Sequence, residues 1–457
     1  MEFDVFGFLY FMTSNPQTSQ PEPATSRLDL KETEAGSVFV SNYPPYSFWS
    51  EDKISAALGA LNSPPLENTL GLYLHIPFCR KRCKFCYFRV YTDKNASQID
   101  DYLNALAREV EIYSQLPAVA DRPLKFVYIG GGTPSFISIK HLRTLVQKLK
   151  TSIPWDGTEE VTFECEPGTL SQSKLEAIRE VGVTRLSLGI ENFNDFILKE
   201  NGRAHLSKEI FEVMPWINQL DFDQLNVDLI AGMVGETWES WKENVQKTID
   251  LNPDSVTIYQ MELPFNTVYT KELGEGKIHV ADWPTKRDWN QFAFEELAKV
   301  GYEISSAYTM VKKDKPCNFV YRDAVWQGTD MLGTGVASFG HMNHVHLQNT
   351  ASWDKYIAQV NSGELPLSRA FLTTDGERLT REMILQLKLG KISTEYFQEK
   401  FDCDIQSKFS EPYQKLQQEG MVTLNGQEIK LTPKGLLQVD SLLPEFYEEK
   451  YQNSRYT

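Results

Sequence analysis

Six short apolar runs, each followed by a helical pattern, constrain this chain more than any other feature. The runs are GLYLHIPF (71–78), KFVYIGGG (125–132), VTFECEP (161–167), RLSLGIE (185–191), LNVDLIAG (225–232) and SVTIYQME (255–262). Each is nearly continuous in hydrophobicity, as strands buried on both faces must be. After the first run, Ser97 is a good N-cap for a helix whose Ile99, Tyr102, Leu103, Leu106 and Val110 share one face, and a second helix is expected near 138–152. The fold class is therefore α/β: a partial (β/α)6 TIM-like barrel, open on one side, over residues 70–310.

In such barrels chemistry gathers at the C-terminal ends of the strands, where loops can vary while the sheet holds them still. The unusual residues sit there. Cys79, Cys83 and Cys86 follow the first strand; Gly130, Gly131, Gly132, Thr133 and Pro134 follow the second; Glu164 and Glu166 end the third. Glu191 ends the fourth and Asp228 lies late in the fifth.

The remaining chain divides by composition. Residues 1–35 are expected to be disordered, being rich in Pro, Ser and Thr after an apolar start that has no basic flank and is too short to span a bilayer. Residues 36–69, with the aromatic stretch SNYPPYSFW (41–49), form an arm on the barrel, covering its open side or merely packing there. Residues 311–370 form an extension and connection. Residues 371–457 carry helical patterns near 376–389, 393–400 and 406–419, and an Asn425-Gly426 hairpin signal, which together predict a winged-helix-like domain. That domain has 11 Lys+Arg against 14 Asp+Glu, and the whole chain carries a net charge of −16, so nucleic acid and an anionic membrane are excluded as main partners.

An acidic chain with six cysteines that crowds three of them among Arg80, Lys81, Arg82 and Lys84 is unlike a secreted disulfide framework, and points to a reducing cytoplasm. Three readings of Cys-x3-Cys-x2-Cys compete. A structural zinc site wants four protein ligands, and the nearby His75 lies on a strand that would turn it away from the loop. A redox pair would more naturally be a single Cys-x-x-Cys. A four-iron cluster held by three thiolates leaves one iron open to an outside ligand, with the flanking cations offsetting its negative charge.

Spacing and context resemble the radical S-adenosylmethionine (SAM) superfamily. LYLHIPFC, GGGTPS, FECEPGTL, GVTRLSLGIENFND, NGRAH, NVDLIAGMVGET and LGTGVASFG stand in the order found in the family of oxygen-independent coproporphyrinogen III dehydrogenase and its relative, the heme chaperone. The resemblance implies a [4Fe-4S] cluster on Cys79, Cys83 and Cys86 with SAM on its fourth iron. It also implies cofactor contacts from Tyr73, Phe85, Gly131, Gly132, Thr133, Glu164, Arg203, Asp228, Met261 and Phe339. Arg203 is the natural partner of the SAM carboxylate. At Glu191 the usual residue is glutamine, a change that bears on ribose contacts or a second cofactor site. The implied chemistry is reductive SAM cleavage and hydrogen abstraction from a tetrapyrrole or related organic molecule, driven by a one-electron donor such as flavodoxin or ferredoxin.

Within the family the signals divide. Phe88 replaces the further cysteine of the dehydrogenase and matches the chaperone, whereas KPCNFVYRDAVW has Cys317 where the chaperone's heme segment has histidine. Cys317 is a candidate heme ligand or a buried loop thiol. Enzymes that hold two SAM molecules, the methyl-transferring and cyclopropane-forming ones, share the same core. The cluster His341, His344 and His346 reads as a solvated hairpin, with His341 facing away from the other two, and Cys165 and Cys403 as inert thiols.

Overall fold

The structure, a computed structural model, describes residues 39–66, 69–264 and 267–452, all within one compact unit spanning Ala35–Thr457. The disordered segment expected at 1–35 and the first residues of the arm lie outside the described residues. Among the described residues no helix is long and apolar enough to cross a membrane.

All six apolar runs are strands: β1 (Leu70–Ile76), β2 (Leu124–Gly131), β3 (Glu160–Cys165), β4 (Arg185–Glu191), β5 (Gln224–Ala231) and β6 (Ser255–Gln260). They pair in parallel and in chain order. Helices cover the sheet. Ala96–Ser114 begins at an Asn95 capping box and buries Ile99, Tyr102, Leu103, Leu106 and Val110, while Ile139–Ser152 is capped by Ser138.

The sheet is larger than six strands. A hairpin of β7 (Tyr302–Ile304) and β8 (Thr309–Lys312) adds antiparallel beyond β6. At the other margin β9 (Asp330–Thr334) pairs in parallel with β1, followed by antiparallel β10 (Phe339–Met342), β11 (Val345–Asn349) and β12 (Leu367–Leu372). Twelve strands result, with β12 and β7 at the two margins, so the barrel stays open. The segment read from sequence as an extension thus supplies a seventh parallel strand.

The open side is bridged by the arm. Phe39 N donates to Glu262 just past β6, and Ser50 pairs with Ala370 in β12. Between them Tyr46 packs its ring 4.3 Å from Phe339 and Trp49 stacks on His346 at 4.9 Å. Lys388, fully buried, holds Asp440 at 2.7 Å and donates to Val40 O, while Val40 N donates to the same carboxylate.

His341 and His346 correct the sequence reading. They are cross-strand partners in β10 and β11, both buried, with their Nδ1 atoms 2.9 Å apart. The turn at Asn343 and His344, both with positive φ, absorbs two residues and brings the rings to one face, which alternation along a single strand cannot show. Burial holds both rings neutral, His346 at about 3.

The C-terminal region has the helices Asp375–Leu387, Thr394–Phe401 and Ser410–Gln418 and a small sheet of β13 (Lys391–Ser393), β14 (Val422–Leu424) and β15 (Glu428–Leu431) in the order β13-β15-β14. This is the winged-helix-like arrangement expected.

Candidate functional site

The thiol loop leaves β1 and closes on itself. Cys79 N donates to Tyr91 O (3.1 Å) and Tyr91 N to Pro77 O (2.7 Å), so residues 79–91 form a loop whose ends meet. The glycine run after β2 is stitched beneath it: Gly132 N donates to Ile76 O and Thr133 N to Phe78 O. Gly131 has φ +117°, and a Cβ there would lie 2.6 Å from His75 Nδ1; a Cβ on Gly132 would meet Phe78 O at 2.9 Å and Cys79 Sγ at 3.1 Å. Only glycine admits this approach. Thr133 Oγ1 donates to Cys79 Sγ at 3.4 Å. His75 is buried, neutral at about 4 because of burial, and its Nε2 lies 3.5 Å from Arg89 O. It therefore faces the end of the thiol loop, contrary to the simple alternation argument.

Burial raises the Cys79 and Cys86 thiols, Cys86 to about 11, with the neighbouring thiols adding to the effect. Arg203, on the loop Asn201–Leu206 after β4 and its short helix, joins the thiols to the barrel interior. Its Nη1 donates to Cys83 Sγ (3.4 Å), its Nη2 to Gly189 O (2.8 Å), and Glu191 Oε1 lies 3.5 Å from Nη2. Its Nε is buried with no hydrogen-bond partner. Burial disfavours the guanidinium charge, yet Cys83, Glu191 and Glu166 push its pKa above the usual range.

Three carboxylates gather here, Glu191 and Asp228 in the field of Arg203 and Glu164 in that of Arg185. Glu164 accepts from Tyr128 OH (2.6 Å) and Gly131 N (3.0 Å), and Asp228 accepts from Ser187 Oγ (2.8 Å) and Asn226 Nδ2 (2.9 Å). Glu191 stands at a bulge where the β4–β5 register slips, with φ +64°, a left-handed conformation that a non-glycine residue adopts at a cost. Burial raises Glu164 and Glu191 to about 7 each and raises Asp228, and the carboxylates reinforce one another.

The other predicted contacts lie in three places. Phe85 and Met261 enter one apolar cluster with Leu263, Tyr269 and Ile278 beside the thiol loop. Tyr73 lies inside the barrel, its ring stacked on Tyr128 and its hydroxyl 3.2 Å from His75 Nδ1. Phe339, at the start of β10 two strands from β1, is seated with Tyr46 and Trp49 of the arm.

Cys317 is not brought to the site. It lies near Asp254, Lys312 and Lys315 at the N-terminal ends of the strands, and burial raises its thiol. The flanking cations also divide: Arg80 pairs with Glu166 (2.9 Å) and Lys84 with Glu200 (3.0 Å), leaving Lys81 and Arg82 exposed. Sequence reasoning missed His205, which bonds Glu166 Oε1 (3.0 Å) and Ile190 O (3.1 Å), and Tyr259, whose hydroxyl senses Asp228, Glu164 and Glu191. The NGRAH motif held the signal for the first; nothing local marked the second.

The donor set fits a cluster better than a single ion. Three thiols on one loop, Cys79, Cys83 and Cys86, are one short of the four protein ligands that close a structural zinc site. The glycine cradle against Cys79 and the unpartnered Arg203 Nε leave room and a donor for an anionic ligand beside the thiols.

Residues 73–247 match the radical SAM superfamily and residues 374–437 the HemN C-terminal domain. The chain is 25% identical over 431 residues, 89% of this chain and 91% of the relative, to the oxygen-independent coproporphyrinogen III oxidase of Synechocystis sp.. It is 26% identical over 370 residues, 80% of this chain and 96% of the relative, to the heme chaperone HemW of Bacillus subtilis. Among solved structures, coproporphyrinogen III oxidase (HemN) from Escherichia coli, a radical SAM enzyme, matches with a TM-score of 0.77 at 25% identity, over 89% of this chain and 96% of that one.

Proposed function

We propose, on the premise that this chain belongs to the radical SAM superfamily and within it to the family of oxygen-independent coproporphyrinogen III oxidases and heme chaperones, that it is a radical enzyme acting on a tetrapyrrole or related organic substrate. The observation that carries this reading is Arg203, whose guanidinium touches Cys83 and whose buried Nε is unpartnered. Cys79, Cys83 and Cys86 would hold a [4Fe-4S] cluster, and Arg203 would receive the carboxylate of SAM in a charge-assisted contact. When bound, cluster and SAM supply a one-electron cleavage to methionine and a 5′-deoxyadenosyl radical that abstracts hydrogen.

The chain's own residues position and shield that chemistry. Gly131 and Gly132 let the backbone approach the thiol side without a Cβ. Glu164, Glu191 and Asp228, raised by burial, take on negative charge as the cationic part of a ligand arrives, with Arg203 beside Glu191. Phe85 and Met261 exclude water from one flank. The barrel at 70–310 carries this site, with the arm at 36–69, the extension at 311–370 and the C-terminal domain as its supports, in a cytoplasm that keeps the thiols reduced.

A second reading, a heme carrier, is favoured by Phe88 at the position of the dehydrogenase's further cysteine. Cys317, raised by burial and placed at the opposite end of the strands, gives it no support. The discriminating experiment supplies anaerobically reconstituted protein with SAM, dithionite and coproporphyrinogen III, and in parallel titrates it with hemin. Substrate-dependent 5′-deoxyadenosine with loss of carbon dioxide supports the enzyme. Stoichiometric hemin binding without turnover of porphyrinogen supports the carrier.

A further inference from the structure

Arg185 carries a buried charge that the site described above does not use. It opens β4, pairs with Thr162 in β3 and Gln224 in β5, and is 2% exposed. Two residues on, Ser187 donates to Asp228 and stands in register with Glu164. Alternation puts Arg185 on that same inner face, one layer beneath both carboxylates. Its Nε is buried without a hydrogen-bond partner, and among the described residues the guanidinium makes no ion pair. The polar groups around it are taken: Thr162 by Glu160, Gln224 by Ser255, and Asn226 by Ser187, Ser255 and Thr257. Its support is aromatic, the Phe319 ring 4.0 Å from Cζ. Phe319 precedes the helix Val320–Trp326, which Glu160 caps, and Tyr321 of that helix packs 4.3 Å from Tyr128, the partner of Glu164. The segment KPCNFVYRDAVW thus furnishes a floor beneath the carboxylates.

We propose that Arg185 is a positioning residue, an internal countercharge that keeps Glu164 and Asp228 ready for the cationic part of a ligand without bonding either. This role deepens the proposed function and rests on its placing of Glu164 and Asp228 beside SAM. A salt bridge would saturate a carboxylate and withdraw it, as Arg80 and His205 do to Glu166. A cation held on an aromatic ring one layer away supplies a field and occupies no lone pair. Arg185 accordingly opposes the burial that raises Glu164 and Asp228. The other groups facing these two carboxylates are Glu191, Arg203 and the hydroxyls of Tyr73, Tyr128, Tyr259 and Tyr321, with Cys165 next to Glu164 on β3. Burial raises the four tyrosines and the thiol, so none of them titrates near neutral pH. Arg322 lies 5.6 Å from the Phe319 ring but is paired with Asp323 at 2.8 Å.

The test follows SAM binding to the full reconstituted protein, without reductant, by calorimetry from about pH 6 to about pH 9. Arg185→Gln suits the polar layer and removes the charge; Arg185→Met is a second neutral replacement. Either should move the midpoint of the affinity rise up by about one unit, weakening binding several-fold at about pH 7. At about pH 9 both variants should bind at least as tightly as the wild type, because the carboxylates are then charged unaided and one cation fewer opposes the sulfonium. Arg185→Lys should restore the midpoint. Without SAM, the infrared carboxyl band that Glu164→Gln removes should titrate near 7 in the wild type and higher in Arg185→Gln. Binding weakened equally at every pH, with that band unmoved, would make Arg185 part of the scaffold and overturn its role alone. A wild type that binds no SAM at any pH overturns the proposed function and this role with it.

Discussion

The two ends of the same parallel sheet treat their buried charges in opposite ways. At the N-terminal end, Asp330 at the start of β9 accepts from Arg122 Nη1 (2.9 Å) and from Asn343 N (3.0 Å). Glu160 at the start of β3 accepts from Val320 N (3.0 Å) and Tyr321 N (3.2 Å), capping the helix Val320–Trp326. Each carboxylate there fastens one element to another. At the C-terminal end Glu191 has Arg203 at 3.5 Å and sits in a left-handed conformation, and Glu164 and Glu191 are raised to about 7. The carboxylates that fasten one element to another each take two donors in relaxed geometry, whereas Glu191 is left strained and crowded beside Glu164 and Asp228.

The largest expected effect tests the saturated end. Asp330→Ala leaves Arg122 buried without its carboxylate and should destabilise the fold by about 3–5 kcal/mol, read by urea denaturation, with SAM affinity of the folded protein unchanged. Equal loss of SAM binding would break the comparison.

Glu166 sharpens it, because this carboxylate lies at the C-terminal end yet is saturated. Burial opposes its charge, but His205 and Arg80 hold it at about 2. A folded pKa below the unfolded value near 4.5 means its contribution is full above that value and is lost as pH falls from about 4.5 towards 2. The amount is on the order of 3 kcal/mol at about 1.36 kcal/mol per unit. Glu166→Gln should flatten that part of the acid unfolding curve; an unaltered curve would place Glu166 with the ligand-facing groups.

Arg203→Ala should weaken SAM binding by about 2 kcal/mol, roughly 30-fold, as a lost hydrogen bond to a charged group does, with a smaller change in thermal midpoint than Asp330→Ala. A large stability loss with SAM affinity intact would mean Arg203 belongs to the scaffold.

The smallest effect is a slope. Glu164 and Glu191, raised to about 7, must ionise when a cationic ligand binds beside them, so SAM affinity should rise between about pH 6 and pH 8, and Glu191→Gln should halve the slope. A flat profile in the wild type would show that these carboxylates do not face the ligand.

Much of this was legible in the sequence because it is local. β1 to β6 announce themselves as apolar runs, and the thiols and the glycines that cradle them lie in two short windows. β9 was not legible as a partner of β1, since Tyr73 and Gly333 meet only when about 260 residues of intervening chain have folded. Separation along the chain likewise hid Lys388 with Asp440 and, with Arg80 and Glu166 86 residues apart, the split of the basic window into paired and exposed cations. The His341–His346 pair was misread because the turn between them changes the register that alternation assumes. The positive φ of Glu191 has no signature in its residue type at all.

The most direct measurement is iron and sulfide content together with 5′-deoxyadenosine released from SAM and dithionite under anaerobic conditions, for wild type and Cys83→Ala. A three-thiolate cluster predicts about four irons and four sulfides per chain in the wild type, with the iron and the cleavage both lost in the variant and the fold retained. A wild type that binds one zinc ion and cleaves no SAM would contradict it.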